Sequence, residues 1–502
     1  MEKNLLAEEN SISALEAKRA VVFQIVMDMK SFNHTPWSNK AVKIQNPIEV
    51  YDASDSLYSY LFNLSVDGKA AGFIEVSAMR DEYPVLSFAR EGSAMDQLQM
   101  EKLQQNVKKP PENKKVVLAG PAHFALKVDY ADGSADVMTS LETFSLSKEK
   151  NKPVPKKGMD RNDHARELRQ NIDAITREIG TIDDGVTDDL GFETGSNSYA
   201  NYDGVPDLNQ FLNPLWVGFS GCSPTSAANI MKYWSTHGYP ALTQGMSDAQ
   251  LLYELRLAMG TDNNGATSVN SIAPGMKSFA LSRGVSAARA YYLPGTPPSW
   301  STYKSYLNSF DPNVITLDTH TYYNEGDKRR SHSVTGVGWT EFFYNGSSTG
   351  HQYMEVHDND FDTPMTVYVA YNQNYYEAIY FDQFSPAGLA IGKYILTPVT
   401  NSYYTKGKTA DGINTMTVNS GVQGLKYFTV TSAPVIEHRG TETVIFTQLR
   451  DGTQIGMNTT VADFDVVQTA SAGFNVQSGD VIRVFIVDFL TNEPDFNPSL
   501  LE

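Results

Sequence analysis

The chain carries a single cysteine, Cys222, within the run Gly221-Cys222-Ser223-Pro224-Thr225-Ser226-Ala227-Ala228. Proline is tolerated in the first turn of a helix, where its missing N–H has no partner to lose. The run therefore predicts a helix with Cys222 or Ser223 at its cap. Ala227, Ile230, Met231 and Trp234 recur at helical spacing and form one apolar stripe. The thiol is thus expected at a helix N-terminus, where unpaired N–H groups and the positive end of the helix dipole favour a thiolate. The same amides can stabilise an oxyanion, and Gly221 leaves room for a substrate. An inert buried thiol would account for the helix. It would not account for the glycine and proline flanking the sulfur.

A thiolate nucleophile needs a base and a group to orient it. Of nine histidines, His332 stands out. It opens an expected strand, Ser331 to Trp339, that follows the apolar strand Val314-Ile315-Thr316-Leu317, and Gly336 and Gly338 thin that strand. His320, on the neighbouring strand, suits a structural role. A third strand over residues 353–357 ends in the polar cluster Asp358-Asn359-Asp360. A carboxylate or amide there can hold an imidazole as the third member of a triad does. Asp358 is the first choice and Asn359 the second; a solvated turn is the other reading of this cluster. Asp358, Asp360 and Asp362 alternate like the start of a calcium loop, but Thr363 stands at the sixth position and no Glu at the twelfth. There is no phosphate loop, dinucleotide fingerprint or HExxH helix. No metal and no cofactor are expected.

The elements that must position these residues follow from the pattern. Residues 11–30 have the spacing of an amphipathic helix, and residues 57–64, 71–76 and 85–88 that of strands, with a hairpin signal at Asp67-Gly68. Residues 116–130 and 137–146 suggest two more strands around Asp132-Gly133. A basic, proline-containing linker spans 147–158. A helix is expected over 163–179 and irregular chain over 181–203. Every motif with chemistry falls within about 199–397. From residue 399 short strands recur at 416–418, 425–430, 442–449, 462–469 and 481–488, the pattern of a β-sandwich. The fold class is α+β, in four parts: 1–146, a linker with a helix over 147–198, 199–398 and 399–502.

Composition narrows the partners. Forty basic against 58 acidic residues give a net charge of −18, which disfavours nucleic acid and anionic membranes. No run of 18 uncharged apolar residues predicts a membrane span. One cysteine excludes intrachain disulfides and thiolate metal clusters. The start MEKNLLAEEN has no leader character; it fits a cytosolic protein or one whose leader has been removed.

Gly221-Cys222-Ser223-Pro224-Thr225-Ser226-Ala227-Ala228, Tyr233-Trp234, His237-Gly238-Tyr239-Pro240 and the run from His332 to Trp339 resemble bacterial papain-fold cysteine peptidases. The likeness is to the group related to the bacteriocin-processing, double-glycine leader peptidases, over about residues 205–397. The resemblance implies a helical half led by Cys222, a β-sheet half carrying His332 and Asp358 or Asn359, and a cleft between them. It implies hydrolysis of peptide bonds through a thioester, with protein or peptide as substrate. It also implies a glutamine donor to the oxyanion upstream of the cysteine. Position 216, six before it, is Trp216; the nearest glutamine is Gln210, which a loop over 211–219 would bring into place. Trp216, Trp339, Tyr322 and Tyr323 are candidates for the cleft wall, or for packing.

Residues 58–62, 67–77 and 83–88 are similar to the pro-region of streptopain-like secreted cysteine peptidases. That likeness implies a zymogen whose residues 1–146 act as an intramolecular pro-domain, cut within 147–158 or 181–203. No membrane transporter accompanies the peptidase motifs, so a secreted, free-standing enzyme is expected. An amidase or acyl-transferase using the same thioester, and a surface protein that keeps the fold without the chemistry, are the alternatives.

Overall fold

The computed structural model describes the chain outside residues 1–9, 32–34, 39, 121, 140–142, 153–161, 177–184, 187–197, 202–203, 211–213, 217–220, 264, 294–298, 302, 305–306, 308–311, 320–329, 344–349, 361–362, 372–375, 377, 387–393, 410–411, 435–440, 465, 488–489, 491–500 and 502. Half of linker 147–158 and most of segment 181–203, together with His320, Tyr322 and Tyr323, lie outside the described residues. The architecture is mixed α+β and mostly strand.

Helix α1 (Ala14–Ser31) begins the described elements. The expected amphipathic pattern holds only for its first turns. From Ala20 to Met29 every residue is buried, because α1 is covered by strands on one side and by a later helix on the other. Strands β1 (Lys43–Ile44), β2 (Ile48–Tyr51), β3 (Leu57–Val66), β4 (Lys69–Ser77) and β5 (Val85–Ala89) follow, then α2 (Gln97–Gln105). Asp67 and Gly68 both take positive φ (51° and 75°) between β3 and β4, the backbone a two-residue hairpin turn needs. Helix α2 starts with a reciprocal capping box between Asp96 and Gln99, a signal absent from the pattern reading above.

The two strands expected over 116–146 are four: β6 (Asn113–Gly120), β7 (His123–Asp129), β8 (Ala135–Met138) and β9 (Thr143–Leu146). Apolar residues run almost unbroken through the β6–β7 turn, and Ala122 turns there with φ 54°. Composition alone conceals such a reversal. Helix α3 (Asp163–Thr176) packs on α1, and β10 (Ser198–Asn201) leads into the middle of the chain.

Three helices follow, α4 (Cys222–Thr236), α5 (Asp248–Met259) and α6 (Val269–Ser282), then six strands, β11 (Arg289–Leu293), β12 (Asn313–Thr319), β13 (Arg330–Phe342), β14 (His351–His357), β15 (Val367–Ala370) and β16 (Ala378–Ser385). One sheet takes up all strands from β1 to β16, with the order β11-β16-β12-β13-β14-β15-β5-β4-β3-β2-β6-β7-β8-β9; β1 and β10 pair off this path with β3 and β13. The N-terminal strands thus continue the sheet of the central region. The junction is β5 against β15, with Phe88 opposite Tyr368 and Ser87 opposite Val369. Phe88 and Tyr368 stack with centroids 4.5 Å apart. Arg90 lies 4.3 Å above the Tyr368 ring and pairs with the fully buried Asp28 of α1 at 2.6 Å. A buried charge pair of this kind is costly to break from one side.

The strand β16 carries a buried carboxyl, Asp382, across from Val314 of β12. Its Oδ1 accepts the Ala273 N–H at 3.1 Å, while Oδ2 has no partner. Burial raises its pKa to about 8, against 3.8 for an ordinary aspartate, and the Ala273 hydrogen bond only partly opposes this. The folded value exceeds the unfolded one, so stability from the neutral carboxyl is whole below about pH 4 and is lost as the pH rises to about 8. Asp382→Asn is neutral throughout. Thermal or urea unfolding of the variant should match the parent near pH 4 and exceed it by about 1–3 kcal/mol at pH 8.5; equal profiles at both pH values would refute the assignment.

The remaining strands, β17 (Tyr394–Pro398), β18 (Tyr404–Lys408), β19 (Asn414–Val418), β20 (Gly424–Pro434), β21 (Glu442–Arg450), β22 (Thr453–Ala462), β23 (Thr469–Val476) and β24 (Val481–Val487), form a second unit. They make a three-stranded sheet, β17-β20-β23, and a five-stranded sheet, β18-β19-β24-β21-β22, around one core that includes Met416, Phe428, Phe446 and Ile482. The expected strand over 462–469 is a connection between β22 and β23. Its Phe464 is fully buried and its N–H is held by Glu442 at 2.7 Å. That inward plug breaks the ladder, and the exposed, Thr-rich β22 takes the pairing instead.

Candidate active site

Helix α4 starts one residue earlier than its sequence suggests. Gly221 is the N-cap and Cys222 the first helical residue. The Gly221 carbonyl accepts from the Thr225 N–H at 3.2 Å and hydroxyl at 2.8 Å. No side chain caps the helix, and Pro224 has no N–H. The Cys222 and Ser223 amides therefore belong to the set with no partner within the helix. Gly221 has φ 93°, a conformation suited to glycine. A Cβ there would lie 2.6 Å from the Gly265 carbonyl oxygen. The glycine is thus demanded by the backbone and by the close approach of Thr261 and Gly265.

His332 lies in β13, opposite Leu317 of β12. Cys222 and His332 are both half-buried and hydrogen-bonded to each other. The ring Nε2 lies 3.1 Å from the main-chain oxygen of Asp358. With Nε2 donating to that carbonyl, Nδ1 is the nitrogen left for the sulfur. Burial by itself pushes the Cys222 thiol up. The His332 hydrogen bond and charge, then the Ser333 N–H and hydroxyl, outweigh it and bring the thiol down to about 7. For His332 burial acts downward, but Cys222 and the Asp358 carbonyl raise the ring above its ordinary value, with His123 opposing. Both shifts favour one state, a thiolate beside an imidazolium.

Asp358 meets His332 through its backbone. Its carboxylate Oδ1 accepts from the Asp360 N–H at 3.1 Å and the Thr363 hydroxyl at 2.8 Å, and Oδ2 is buried without a partner. The expected carboxylate–imidazole contact is therefore corrected: the carbonyl takes that place. The register explains it. Thr335 faces His357 across β13 and β14, so the chain leaving β14 passes beside His332. Asn359 then turns with φ 65°. Its amide does not reach the ring either. Its Nδ2 donates to Ser226 Oγ at 2.7 Å and the Ser333 carbonyl at 2.9 Å, with a longer contact to the Cys222 carbonyl at 3.4 Å. Its Oδ1 accepts from Asn229 at 3.1 Å.

Asn229 is a second tie that the sequence reading missed. It donates to Thr335 at 2.9 Å and accepts the Leu208 N–H at 2.9 Å. Both asparagines are fully buried. The signal was present in the helix: Cys222, Ser226 and Asn229 stand at i, i+4 and i+7 and share a face. Polar residues on a buried face need partners from another element. Gln210 joins the same cluster, since its N–H donates to the Asn359 carbonyl at 3.2 Å and its side chain is buried.

Two aromatic candidates for the cleft wall are occupied elsewhere. The Arg256 guanidinium sits 3.7 Å above the Trp216 ring, and Tyr253 lies 5.8 Å from it. Trp339 is buried in β13 between Ala200 and Met354. Trp339 is therefore a packing residue, and Trp216 stacks on its neighbours while half-buried.

A contact from the N-terminal strands completes the site. At the β6–β7 turn, a Cβ on Gly120 would lie 3.8 Å from the His332 Cδ2. From the same turn His123 Nε2 meets Asp360 Oδ2 at 2.6 Å, both side chains buried. Asp207 adds a further acid; burial first, then the charge of Asp358, pushes its pKa up, and Asp358 is pushed up by burial and by Asp360. Among the described residues no group of three or more His, Cys, Asp or Glu could hold a metal ion, and no helix is long and apolar enough to cross a membrane.

The arrangement sets a thiol beside an imidazole whose far nitrogen is held by a carbonyl, at the start of a helix whose first amides have no partner within the helix. That set can carry acyl transfer. No curated protein matches the sequence. Residues 202–385 match the model of the Peptidase_C39 like family, which supports a C39-like cysteine peptidase, a hydrolase of peptide bonds, in the part of the chain that holds Cys222 and His332.

Proposed function

We propose that the protein is a secreted cysteine endopeptidase made as a zymogen, with Cys222 as nucleophile and His332 as general base and acid. The observation that carries this reading is the sulfur at the start of α4, hydrogen-bonded to an imidazole whose Nε2 is held by the Asp358 carbonyl. In the proposed cycle the thiolate attacks the scissile carbonyl carbon. The Cys222 N–H and the Gln210 carboxamide hold the oxyanion at about 2.7–3.1 Å. The imidazolium protonates the leaving amine as the C–N bond breaks, leaving a thioester and a neutral ring. The ring then takes a proton from water as its oxygen attacks the thioester. Release of the acid restores the thiolate and imidazolium.

Latency rests on the β6–β7 turn against His332 and on the His123–Asp360 pair. Residues 1–146 would act as the pro-domain, residues 199–398 as the papain-like catalytic domain and 399–502 as an accessory domain. Secretion is proposed on the likeness of residues 58–88 to the pro-region of secreted cysteine peptidases. The test is mass spectrometry of the purified full chain over time, parent against Cys222→Ala. The parent should cleave itself within 147–198 and the variant should stay intact. Equal cleavage in both, or none in the parent after a trace of an active protease has nicked that segment, would reject the reading.

A further inference from the structure

Ser333 follows His332 in β13 and is almost fully buried, as are Ser223 of α4 and Thr316 of β12. The Ser333 hydroxyl lies 2.8 Å from Ser223 Oγ and 2.8 Å from Thr316 Oγ1. Its carbonyl accepts from Asn359 at 2.9 Å. Beside this set of hydroxyls, the Ser333 N–H and hydroxyl are among the groups that hold the Cys222 thiol down. A thiolate only accepts hydrogen bonds, and a serine hydroxyl has one proton and two lone pairs. If that proton points to the sulfur, Ser223 and Thr316 must each donate into the Ser333 oxygen. All three hydroxyl protons then run toward the sulfur, and each bond polarises the next.

Resting on the reading of Cys222 as nucleophile, we infer that Ser333 is a positioning residue: its N–H and its hydroxyl hold the sulfur as the anion, and Ser223 and Thr316 orient that hydroxyl. Neither role falls to a base, since serine takes no proton in the cycle. The groups around the sulfur that also carry or can change charge are His332 of β13, Asp358 and Asp360 beyond β14, Asp207 before α4 and His123 of β7. None is altered by the test.

Cys222 is the sole cysteine, so iodoacetamide alkylation of the full chain reports on it alone. Rates are measured from pH 5 to 9.5 in the parent, Ser333→Ala and Thr316→Val. The parent should titrate near pH 7. Ser333→Ala keeps the N–H but loses the hydroxyl; its inflection should move up and its rate at pH 6 should fall about tenfold, with the alkaline plateau unchanged. Thr316→Val, which does not touch the sulfur, should shift the same way by less. A Ser333→Ala profile superimposable on the parent's overturns this inference alone. So does a lower plateau with an unmoved inflection, which marks a packing role. An ordinary thiol profile in the parent, near pH 8.5, overturns the reading of Cys222 as well.

Discussion

His332→Ala lowers kcat/KM on a flexible peptide by about a thousandfold or more. Loss of general acid–base catalysis alone costs roughly 10²–10⁴. In this site the ring also supplies the leading favourable influence on the thiolate. Without it, burial is opposed more weakly, by Ser333 and the helix N-terminus, and the thiol moves up from about 7. Activity and alkylation at pH 6 should therefore fall together, and alkylation should recover at pH 9.5 while activity does not. That split separates the two duties of the ring: holding the thiolate can be replaced by hydroxide, whereas protonating the leaving amine cannot. The fold should hold, because the ring is half-exposed and, among the described residues, its polar ties run only to Cys222 and the Asp358 carbonyl. Thermal unfolding near pH 7 checks this. A loss of less than tenfold in kcat/KM would remove His332 from the mechanism.

Asn359→Ala should damage the enzyme far more than Asp358→Asn, the reverse of what a carboxylate triad predicts. Asp358 serves His332 by a main-chain oxygen, which survives substitution. Its carboxylate bonds only to Asp360 and Thr363, and its negative charge pushes up Asp207. Asp358→Asn should change kcat/KM less than about threefold, a surface-sized effect. Asn359 is different. Alanine at φ 65° costs about 1–2 kcal/mol, and losing the amide strands buried groups of Asn229 and Ser333 at about 1–3 kcal/mol each. Urea unfolding should show a loss of roughly 2–4 kcal/mol, and kcat should drop about 10–100-fold as the carbonyl loses its aim, since small misplacements are costly in catalysis. Asn359→Gly should recover the backbone part of the stability but not the hydrogen bonds. A hundredfold loss in Asp358→Asn with Asn359→Ala near the parent would mean that the carboxylate, not the carbonyl, acts on the ring.

The continuous sheet sets a condition on activation. A cut after residue 146 does not by itself separate β5 from β15, nor Arg90 from Asp28 and Tyr368. These ties are main-chain hydrogen bonds, a stacked aromatic pair and a buried charge, each unfavourable to break singly. Under the zymogen reading the nicked N-terminal part must therefore leave by a cooperative opening of that edge.

The candidate cysteine and histidine, which the fold places side by side, were legible from residue types and local order. A lone cysteine before a proline at the head of an apolar helix, and a histidine opening a glycine-bearing strand, identify the pair because caps, helix starts and strand alternation are properties of a few neighbouring residues. The strands of residues 57–88 were readable for the same reason. What decided the third partner was not local. Asp358, Asn359 and Ser333 are brought to the sulfur and the ring by the register of β13 against β14 and by one positive φ at Asn359. A carbonyl oxygen is common to every residue, so no residue type announces the one that is aimed at a ring. Likewise, the meeting of the β6–β7 turn with His332 depends on where a long sheet carries residues some two hundred positions apart, and only the packed chain sets that distance.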